Sequence, residues 1–420
     1  MVREMRPERA VDTVSHRSRA IVAAIAFPLF LDYLLYGLLF TLHSPALEGE
    51  GHLALLYGVY AASVLLVTPL FGYLGDRFGS GLTMICGAVL AICAVLLFGL
   101  APSLLLLVLA KACQGAASAA LWTSGLALVA ANYVEKRVVM LGYAFAAGTF
   151  GSVLGPIAGG FFYQMGAYKL PFLLLGIAFA AAAGLIAWMV PVAPTQHEPV
   201  NLRALILSRS ITVPAVTIAL AAFSFGVIEP LLPVRLMRHG LPSIAIGTIF
   251  TVSTIVYGLS APLVGRVSER LPIHQVIVLG TIGMAVILPF LALFRTAIPA
   301  GITLSLVNVA FAFMLNPASA ELGDAVDRSG LSCYSAVYAV YNIFYSIGML
   351  GAATLASSVA RQLGFTGVLF SVGVVLLLSA FFLATARDAN AGAPRHPETT
   401  TQNPNGTHNQ ENSKSMRQTL

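Results

Sequence analysis

Apolar runs of about twenty residues recur along almost the whole chain. Of its 420 residues, 58% are hydrophobic and only 10% are charged, whereas soluble proteins carry charge on about a quarter of their residues. A helical run of this length crosses the hydrocarbon core of a bilayer. The pattern predicts twelve spans, at 20–42, 53–75, 81–101, 104–131, 139–163, 170–190, 211–233, 244–264, 274–294, 299–320, 333–359 and 365–386. We therefore expect an all-α membrane protein with twelve transmembrane helices.

The two halves of the chain repeat one another. A Gly-x3-acid-Arg pattern follows the second span and returns 193 residues later, after the eighth. The six positions are Gly72, Asp76, Arg77, Gly265, Glu269 and Arg270. The same offset places Gly155 of the fifth span on Gly348 of the eleventh. Two pseudo-symmetric six-helix halves, the arrangement of a duplicated transporter fold, are the predicted architecture.

Polar stretches divide the chain into an N-terminal tail (1–19), a six-helix half (20–192), a linker (193–210), a second six-helix half (211–387) and a C-terminal tail (388–420). We expect both tails to be disordered because they contain few apolar residues. With both termini placed in the cytoplasm, 17 of the 23 Lys and Arg residues lie on that side, which is a positive-inside bias. The net charge of +6 then reports topology, and no nucleic-acid partner is expected.

Two carboxylates interrupt the apolar spans. Asp32 lies in the middle of the first span and Glu229 lies in the seventh. A carboxylate near mid-membrane costs at least a few kcal/mol unless it is paired, solvated or protonated, so such residues commonly mark substrate or proton pathways. The sequence therefore predicts two functional acids, one in each half.

The fifth span carries an unusual set of helix-destabilising residues. The pattern consists of Gly142, Gly151, Gly155, Pro156, Gly159 and Gly160. Glycine costs about 1 kcal/mol and proline about 3 kcal/mol relative to alanine inside a helix, so the pattern indicates close backbone contact, a kink, or both. We expect the glycines spaced by four residues to form a stripe against the eighth span, with a bend near Ser152.

The glycine pattern resembles the antiporter motif of proton-coupled drug exporters in the major facilitator superfamily. On the fourth span, the stretch from Lys111 to Gly115 includes Gln114 and resembles that group's R-x-x-Q-G element, with lysine in place of arginine. The alternative for this lysine is that it extends to the outer interface. The loop from Gly72 to Gly79 resembles the superfamily's signature between helices two and three.

That loop indicates a charged latch at the membrane surface. Asp76 is expected at a helix N-terminus of the other half, where the helix dipole favours an anion. Arg77 is expected to pair with Glu135 at the inner end of the fourth span. The repeat at Gly265, Glu269 and Arg270 predicts a second copy of this latch.

The two acids lie in LD…YG and EP-x-LP elements that resemble those of the vesicular amine transporters. The resemblance implies that Asp32 and Glu229 meet cationic substrate and protons in a central cavity. That family's lysine on helix two and aspartate on helix eleven are replaced here by Tyr60 and Asn342, a neutral pair still able to hydrogen-bond. Its aspartate on helix ten is absent, which leaves Asn308 and Asn316 as the polar residues available there, with Glu321 nearer the inner end.

These features favour a proton-coupled antiporter that exports small organic, cationic or amphipathic compounds by alternating access. A proton symporter or facilitator of a small solute is the alternative, followed by a non-transporting receptor. No residue constellation for enzyme chemistry, a metal or a cofactor is found in the sequence. The expected partners are a small substrate, protons and the lipid bilayer. We expect a monomer in the plasma membrane, with a vesicle or vacuole membrane as the alternative.

Overall fold

A computed structural model describes residues 7–38, 52–100, 103–165, 168–190, 206–329 and 333–385. Most of the predicted linker and the whole predicted C-terminal tail lie outside these residues. Residues 7–19, which we expected to form a disordered tail, belong to the first helix instead. The described chain up to Ala384 forms one compact unit.

Eleven α-helices make up the described structure. They are α1 (Pro7–Leu38), α2 (His52–Phe78), α3 (Ser80–Leu100), α4 (Leu104–Asn132), α5 (Arg137–Gln164), α6 (Leu170–Met189), α7 (Arg209–Arg238), α8 (Ser243–Arg270), α9 (Ile273–Ile287), α10 (Ala297–Ser329) and α11 (Tyr334–Thr385). A 3₁₀ turn at Leu288–Ala292 continues α9.

The long helix α11 contains two membrane crossings. Gly364 has φ 68° and ψ 177°, a conformation open to glycine because it has no Cβ, and it separates the two helical segments. Eleven segments of the described chain are long and apolar enough to cross a membrane, the last being Gln362–Ala384. With the first segment of α11, which covers the predicted span 333–359, they confirm a fold of twelve membrane helices in two six-helix halves.

The first half consists of α1–α6 and the second of α7–α11. Within the first half α1 packs on α5, while α3 and α2 pack on α4; within the second half α7, α8 and α9 pack on α10. The halves meet where α5 packs against α8 and α10. Helix α4 is buried along most of its length, which places its polar side chains at the centre of the first half.

The glycine stripe of α5 faces a different helix from the one predicted. A Cβ atom at Gly155 would lie 2.5 Å from the Leu34 carbonyl oxygen and 2.8 Å from the Gly37 Cα. A Cβ atom at Gly151 would collide with the Phe30 carbonyl oxygen. The stripe therefore packs on α1 of its own half, because α1 supplies a complementary glycine at Gly37. The prediction of α8 as its partner was wrong.

The remaining residues of the glycine motif on α5 do not all contact α1. Gly142 does reach the second half, since a Cβ atom there would lie 2.8 Å from the Ala261 Cβ and 2.7 Å from the Asn316 Nδ2. Gly159 is buried, whereas a Cβ atom at Gly160 would meet nothing within 4 Å. Helix α5 continues through Pro156 from its first residue to its last; the bend near Ser152 remains a prediction.

The internal repeat is visible in this packing. Gly348 of α11 is the repeat of Gly155, and its Cβ would lie 2.9 Å from the Ala222 Cβ of α7. Helix α7 is the repeat of α1. Each half thus uses one glycine to bring its first and fifth helices together, because a helix without a side chain at that point admits close backbone approach.

Substitution at two glycines of the same helix tests the contact between α5 and α1. Gly155→Ala forces a methyl group into the α1 backbone, and overpacking of this kind costs about 1–3 kcal/mol. We expect the thermal unfolding midpoint of the purified protein to fall. Gly160→Ala is the matched control and should leave the midpoint unchanged or raise it, since its Cβ enters open space. Equal midpoints for the two variants would contradict the assigned packing.

Candidate functional site

Asp32 of α1 is held by two donors on α4. Its Oδ2 accepts hydrogen bonds from Ser118 Oγ at 2.7 Å and Trp122 Nε1 at 3.0 Å. The two donors are four residues apart and so lie on one face of their helix. The side chain is 1% exposed, and its Oδ1 has no hydrogen-bond partner among the described residues. One oxygen of this buried carboxylate is therefore available to a proton or a ligand.

Lys111 of α4 lies among aromatic rings rather than at the membrane surface. Its Nζ lies 5.0, 4.5 and 5.3 Å from the ring centroids of Tyr36, Tyr57 and Tyr60, three residues that we call the tyrosine cage. The amine also donates to Gln114 Oε1 at 3.0 Å. Because Lys111 is fully buried, the alternative in which it extends to the outer interface was wrong.

Tyr60 connects the cage to the carboxylate. Its hydroxyl lies 2.9 Å from Ser118 Oγ. Since the single proton of Ser118 is donated to Asp32, the Tyr60 hydroxyl is the donor in this bond. A hydrogen-bonded chain therefore runs from Tyr60 through Ser118 to Asp32. The Lys111 amine lies over the ring of Tyr60.

Asn342 hydrogen-bonds to a residue of the first half. Its Nδ2 donates to Thr123 Oγ1 at 2.8 Å, which joins α11 of the second half to α4 of the first. Tyr60 and Asn342, which the sequence analysis described as able to hydrogen-bond, each bond to a residue of α4 in this structure, to Ser118 and Thr123 respectively.

Glu229 of α7 lies close to tyrosines of both halves. Its side chain is accessible to solvent, yet it interacts electrostatically with Tyr36, Tyr57 and Tyr345. These tyrosines belong to α1, α2 and α11, so the carboxylate lies near residues of both halves. Two of them, Tyr36 and Tyr57, are members of the cage that holds Lys111.

Asn308 is not part of this arrangement. It is buried, and its Nδ2 donates to the Leu304 carbonyl oxygen of its own helix at 3.1 Å. The more central asparagine of α10 is Asn316, whose Oδ1 accepts from the Tyr257 hydroxyl at 3.1 Å. The structure thus places Asn308 in a helix-internal bond.

A row of stacked aromatic rings that was missed by the sequence analysis begins at Trp122, the residue whose indole donates to Asp32. Trp122 stacks on Phe145 with centroids 6.2 Å apart, Phe145 on Tyr341 at 5.5 Å and Tyr341 on Tyr345 at 5.8 Å. The row crosses from the first half to the second. Its members come from three helices at unrelated positions in the chain, so no spacing in the sequence indicates it. A row of aromatic rings of this kind can bind a ligand that is cationic or itself aromatic.

Asp76 connects the halves at one end of the bundle, which we call the latch end. Its two carboxylate oxygens accept hydrogen bonds from the backbone N–H groups of Ser335 at 2.8 Å and Ala336 at 2.9 Å. These groups lie in the first turn of α11, where the helix dipole favours an anion. Gly72 allows the approach, since a Cβ there would lie 2.7 Å from the Ala339 Cβ.

The basic partner at the latch end is not the predicted one. Arg77 is exposed and donates to the Tyr73 hydroxyl. The ion pairs of the described residues involve Arg137 and Arg328 only, so the expected pair of Arg77 with the exposed Glu135 is absent. Arg137 at the start of α5 binds two carboxylates of α10 instead, Asp324 and, at 2.9 Å, Asp327.

Arg137 is well positioned for this role. Its side chain is 2% exposed, and its Nε and Nη2 donate to the Ala130 carbonyl oxygen at the end of α4, at 3.0 and 2.8 Å. Gly323 provides the space, because a Cβ there would lie 2.8 Å from the Arg137 Nε. A planar guanidinium supplies donors to all three acceptors at once.

The second copy of the latch is not formed in this structure. Glu269 and Arg270 are exposed, and among the described residues neither side chain makes a hydrogen bond or an ion pair. Gly265 nevertheless packs closely against Val139 of α5, as Gly72 does against α11. The repeat therefore preserves the glycine contact between the halves while the charged contact occurs on one side only.

A bundle of two repeated six-helix halves, with a buried carboxylate beside the space between them, defines a secondary transporter. The chain belongs to the Major Facilitator Superfamily, whose family model matches residues 22–318 and 214–414. It is a transporter and not an enzyme.

Two relatives within the superfamily show which transporters this sequence resembles. The chain is 27% identical over 362 residues to the vesicular acetylcholine transporter of Rattus norvegicus, covering 82% of this chain and 67% of that protein. It is 24% identical over 341 residues to the synaptic vesicular amine transporter of Homo sapiens, covering 78% and 66%. The chain thus spans about two thirds of the length of these relatives. The predicted likeness to the vesicular amine transporters is confirmed.

Solved structures agree on the fold. The fucose:proton symporter of E. coli superposes with a TM-score of 0.68 at 14% identity, covering 87% of this chain and 98% of the symporter. The human organic anion transporter MFSD10 gives a TM-score of 0.68 at 14% identity, covering 87% and 99%. At this identity the likeness concerns the fold alone.

Cys333 offers a natural reporter of the latch. It is 2% exposed and immediately precedes α11, so separation of the halves at the latch end should expose its thiol. In a protein whose other cysteines are changed to serine, we expect Arg137→Gln to increase labelling of Cys333 by a water-soluble maleimide several-fold. The physical reason is that Arg137 is the group that joins α5 and the end of α4 to Asp324 and Asp327 of α10, so its removal breaks the contact between the halves at this end.

Arg77→Gln is the matched control, since Arg77 is exposed and outside the ion pairs. It should leave the labelling rate unchanged. Asp76→Asn should raise the rate as Arg137→Gln does. The assignment fails if Arg77→Gln raises the labelling rate as much as Arg137→Gln.

Proposed function

We propose that the protein is a proton-coupled antiporter that exports small organic cations. The observation that carries the proposal is the buried Asp32 carboxylate, which has neutral donors on Oδ2 and, within the described part of the chain, none on Oδ1. A charged carboxylate attracts a cation, and a protonated one does not. Because proton and substrate compete for the same group, binding of one favours release of the other, as antiport requires.

Glu229 supplies the second acid of the pathway. It lies on α7 and is accessible from the space between the halves, whereas Asp32 lies on α1 and is buried. A cation between the halves therefore meets one carboxylate from each. The tyrosines beside Glu229 favour organic ammonium groups over small inorganic ions, because ring faces attract cations without the hydration that inorganic ions demand. The names of the relatives, transporters of acetylcholine and amines, support this substrate class.

Alternating access explains the contacts between the halves at the latch end. The contacts of Asp76 and Arg137 hold the halves together at the latch end. Breaking them, with closure at the opposite end, exposes the same acids to the other side of the membrane. We place the latch end in the cytoplasm with both termini, following the distribution of basic residues, and we place the protein as a monomer in the plasma membrane.

A proton symporter remains the alternative mechanism. The glycine motif does not separate the two, since Gly151 and Gly155 contact α1 of their own half rather than the interface between halves. The direction of transport follows from the gradients and from the state that each ligand prefers. Competition between proton and cation at Asp32 is what favours antiport.

Substitution of Asp32 tests the coupling. In proteoliposomes with an imposed pH gradient, we expect Asp32→Asn to abolish uphill uptake of organic cations, because an amide neither gains nor loses a proton. Glu135→Gln makes the same chemical change on the exposed surface and should leave uptake intact. Gradient-driven accumulation at the wild-type rate in Asp32→Asn would refute the assignment. Substrate accumulating with the proton flux, rather than against it, would establish symport.

Substitution of Glu229 tests recognition. Glu229→Gln removes one of the two carboxylates that a cation meets between the halves. We expect the apparent KM for cationic compounds to rise about tenfold, the equivalent of roughly 1.4 kcal/mol, with little change for neutral compounds. The measurement is concentration-dependent flux for a matched cationic and neutral pair of similar size. An equal rise for both compounds would restrict Glu229 to a structural or proton-binding role.

A further inference from the structure

The tyrosine cage already holds a cation that belongs to the chain. The Lys111 Nζ lies within 5.3 Å of the ring centroids of Tyr36, Tyr57 and Tyr60, inside the range over which ring faces attract cations. The rings also contact each other: the Tyr36 centroid is 5.0 Å from those of Tyr57 and Tyr60. Three rings arranged around one point form a site shaped for an ammonium group.

Groups from both halves lie near the cage. Lys111 reaches it from α4 of the first half, and Glu229 of α7 in the second half is close enough to Tyr36 and Tyr57 for electrostatic interaction. A cation attracted by Glu229 is therefore brought close to the rings that the Lys111 amine already contacts. Two ammonium groups repel each other and will not share the same ring faces.

Lys111 has a second partner within reach. Asp32 is close enough for electrostatic interaction with the amine, but no ion pair is formed between them. Asp32 Oδ1 has no hydrogen-bond donor, and Gln114 Nε2 has no acceptor among the described residues. A lysine side chain has four rotatable carbons, so its amine can leave the cage and pair with Asp32.

We infer that the tyrosine cage is a subsite for the ammonium group of a substrate, and that Lys111 fills it in the substrate-free protein. An incoming primary to quaternary ammonium displaces the Lys111 amine from the rings toward Asp32 Oδ1, where the amine opposes protonation of the carboxylate, so that substrate and proton still compete through Asp32. The inference rests on the proposed transport of cations and adds the subsite and its resident occupant. It makes Lys111 an internal competitor of the substrate rather than a binding group for it.

Binding of tetramethylammonium to purified full-length variants tests the inference. Lys111→Ala empties the cage, and we expect it to bind tetramethylammonium at least tenfold more tightly than the wild type does. Lys111→Met removes the same charge but leaves an apolar side chain among the rings, so it should gain much less. Lys111→Arg keeps a cation in the cage and should gain nothing. Equilibrium titration, with thermal stabilisation by the ligand as a second readout, measures each affinity.

Substitution of a tyrosine of the cage is the second part of the test. Adding Tyr57→Leu to Lys111→Ala should remove the gain, whereas Tyr57→Phe, which keeps the ring, should retain most of it. A gain in Lys111→Met equal to that in Lys111→Ala, or one that survives Tyr57→Leu, would show that loss of positive charge near Asp32 is the whole effect and overturn the inference.

The remaining outcomes are also decisive. If Lys111→Ala folds only when tetramethylammonium is present, the ligand replaces the missing amine and the inference stands. If it folds neither with nor without the ligand, the cage does not accept an external ammonium and the inference falls. Because binding is measured without a proton gradient, failure of antiport in the flux assay and failure of the subsite are separate results.

Discussion

Burial of charge in a medium without water is the constraint on which this structure depends. Asp32 and Lys111 are both almost fully buried, at a depth where unsatisfied polar groups are costly. Helix α4 resolves the problem for both. It provides the hydroxyl of Ser118 and the indole of Trp122 for the carboxylate, and the amide of Gln114 for the amine. Its burial at the centre of the first half follows from this role.

The same helix couples the site to the interface between the halves. Thr123 accepts a hydrogen bond from Asn342 of α11, and the last turn of α4 accepts two from Arg137. Rearrangement at the latch end is therefore connected through one rigid helix to the surroundings of Asp32.

Close helix contact, rather than charge, holds each half together. Gly155 against α1 and Gly348 against α7 bring backbones together at equivalent places in the repeat. Between the halves, close glycine contacts occur at both copies of the repeat, at Gly72 and Gly265. The charged contact of Asp76 with the first turn of α11 has no counterpart at Glu269 among the described residues.

The sequence by itself determined the twelve spans, the two repeated halves and the two acids, because hydrophobic length, a fixed offset and the cost of buried charge are all visible along the chain. The partners of those residues were decided by tertiary structure. Arg77 looked like the latch cation, but the carboxylates lie opposite Arg137, and Gly323, nearly two hundred residues away, makes room for it. Tyr60 and Asn342 could have bonded to each other, but the first bonds to Ser118 and the second to Thr123. The tyrosine cage gathers residues from α1 and α2 around a lysine of α4, and helix rotation, which hydropathy does not encode, sets which faces meet.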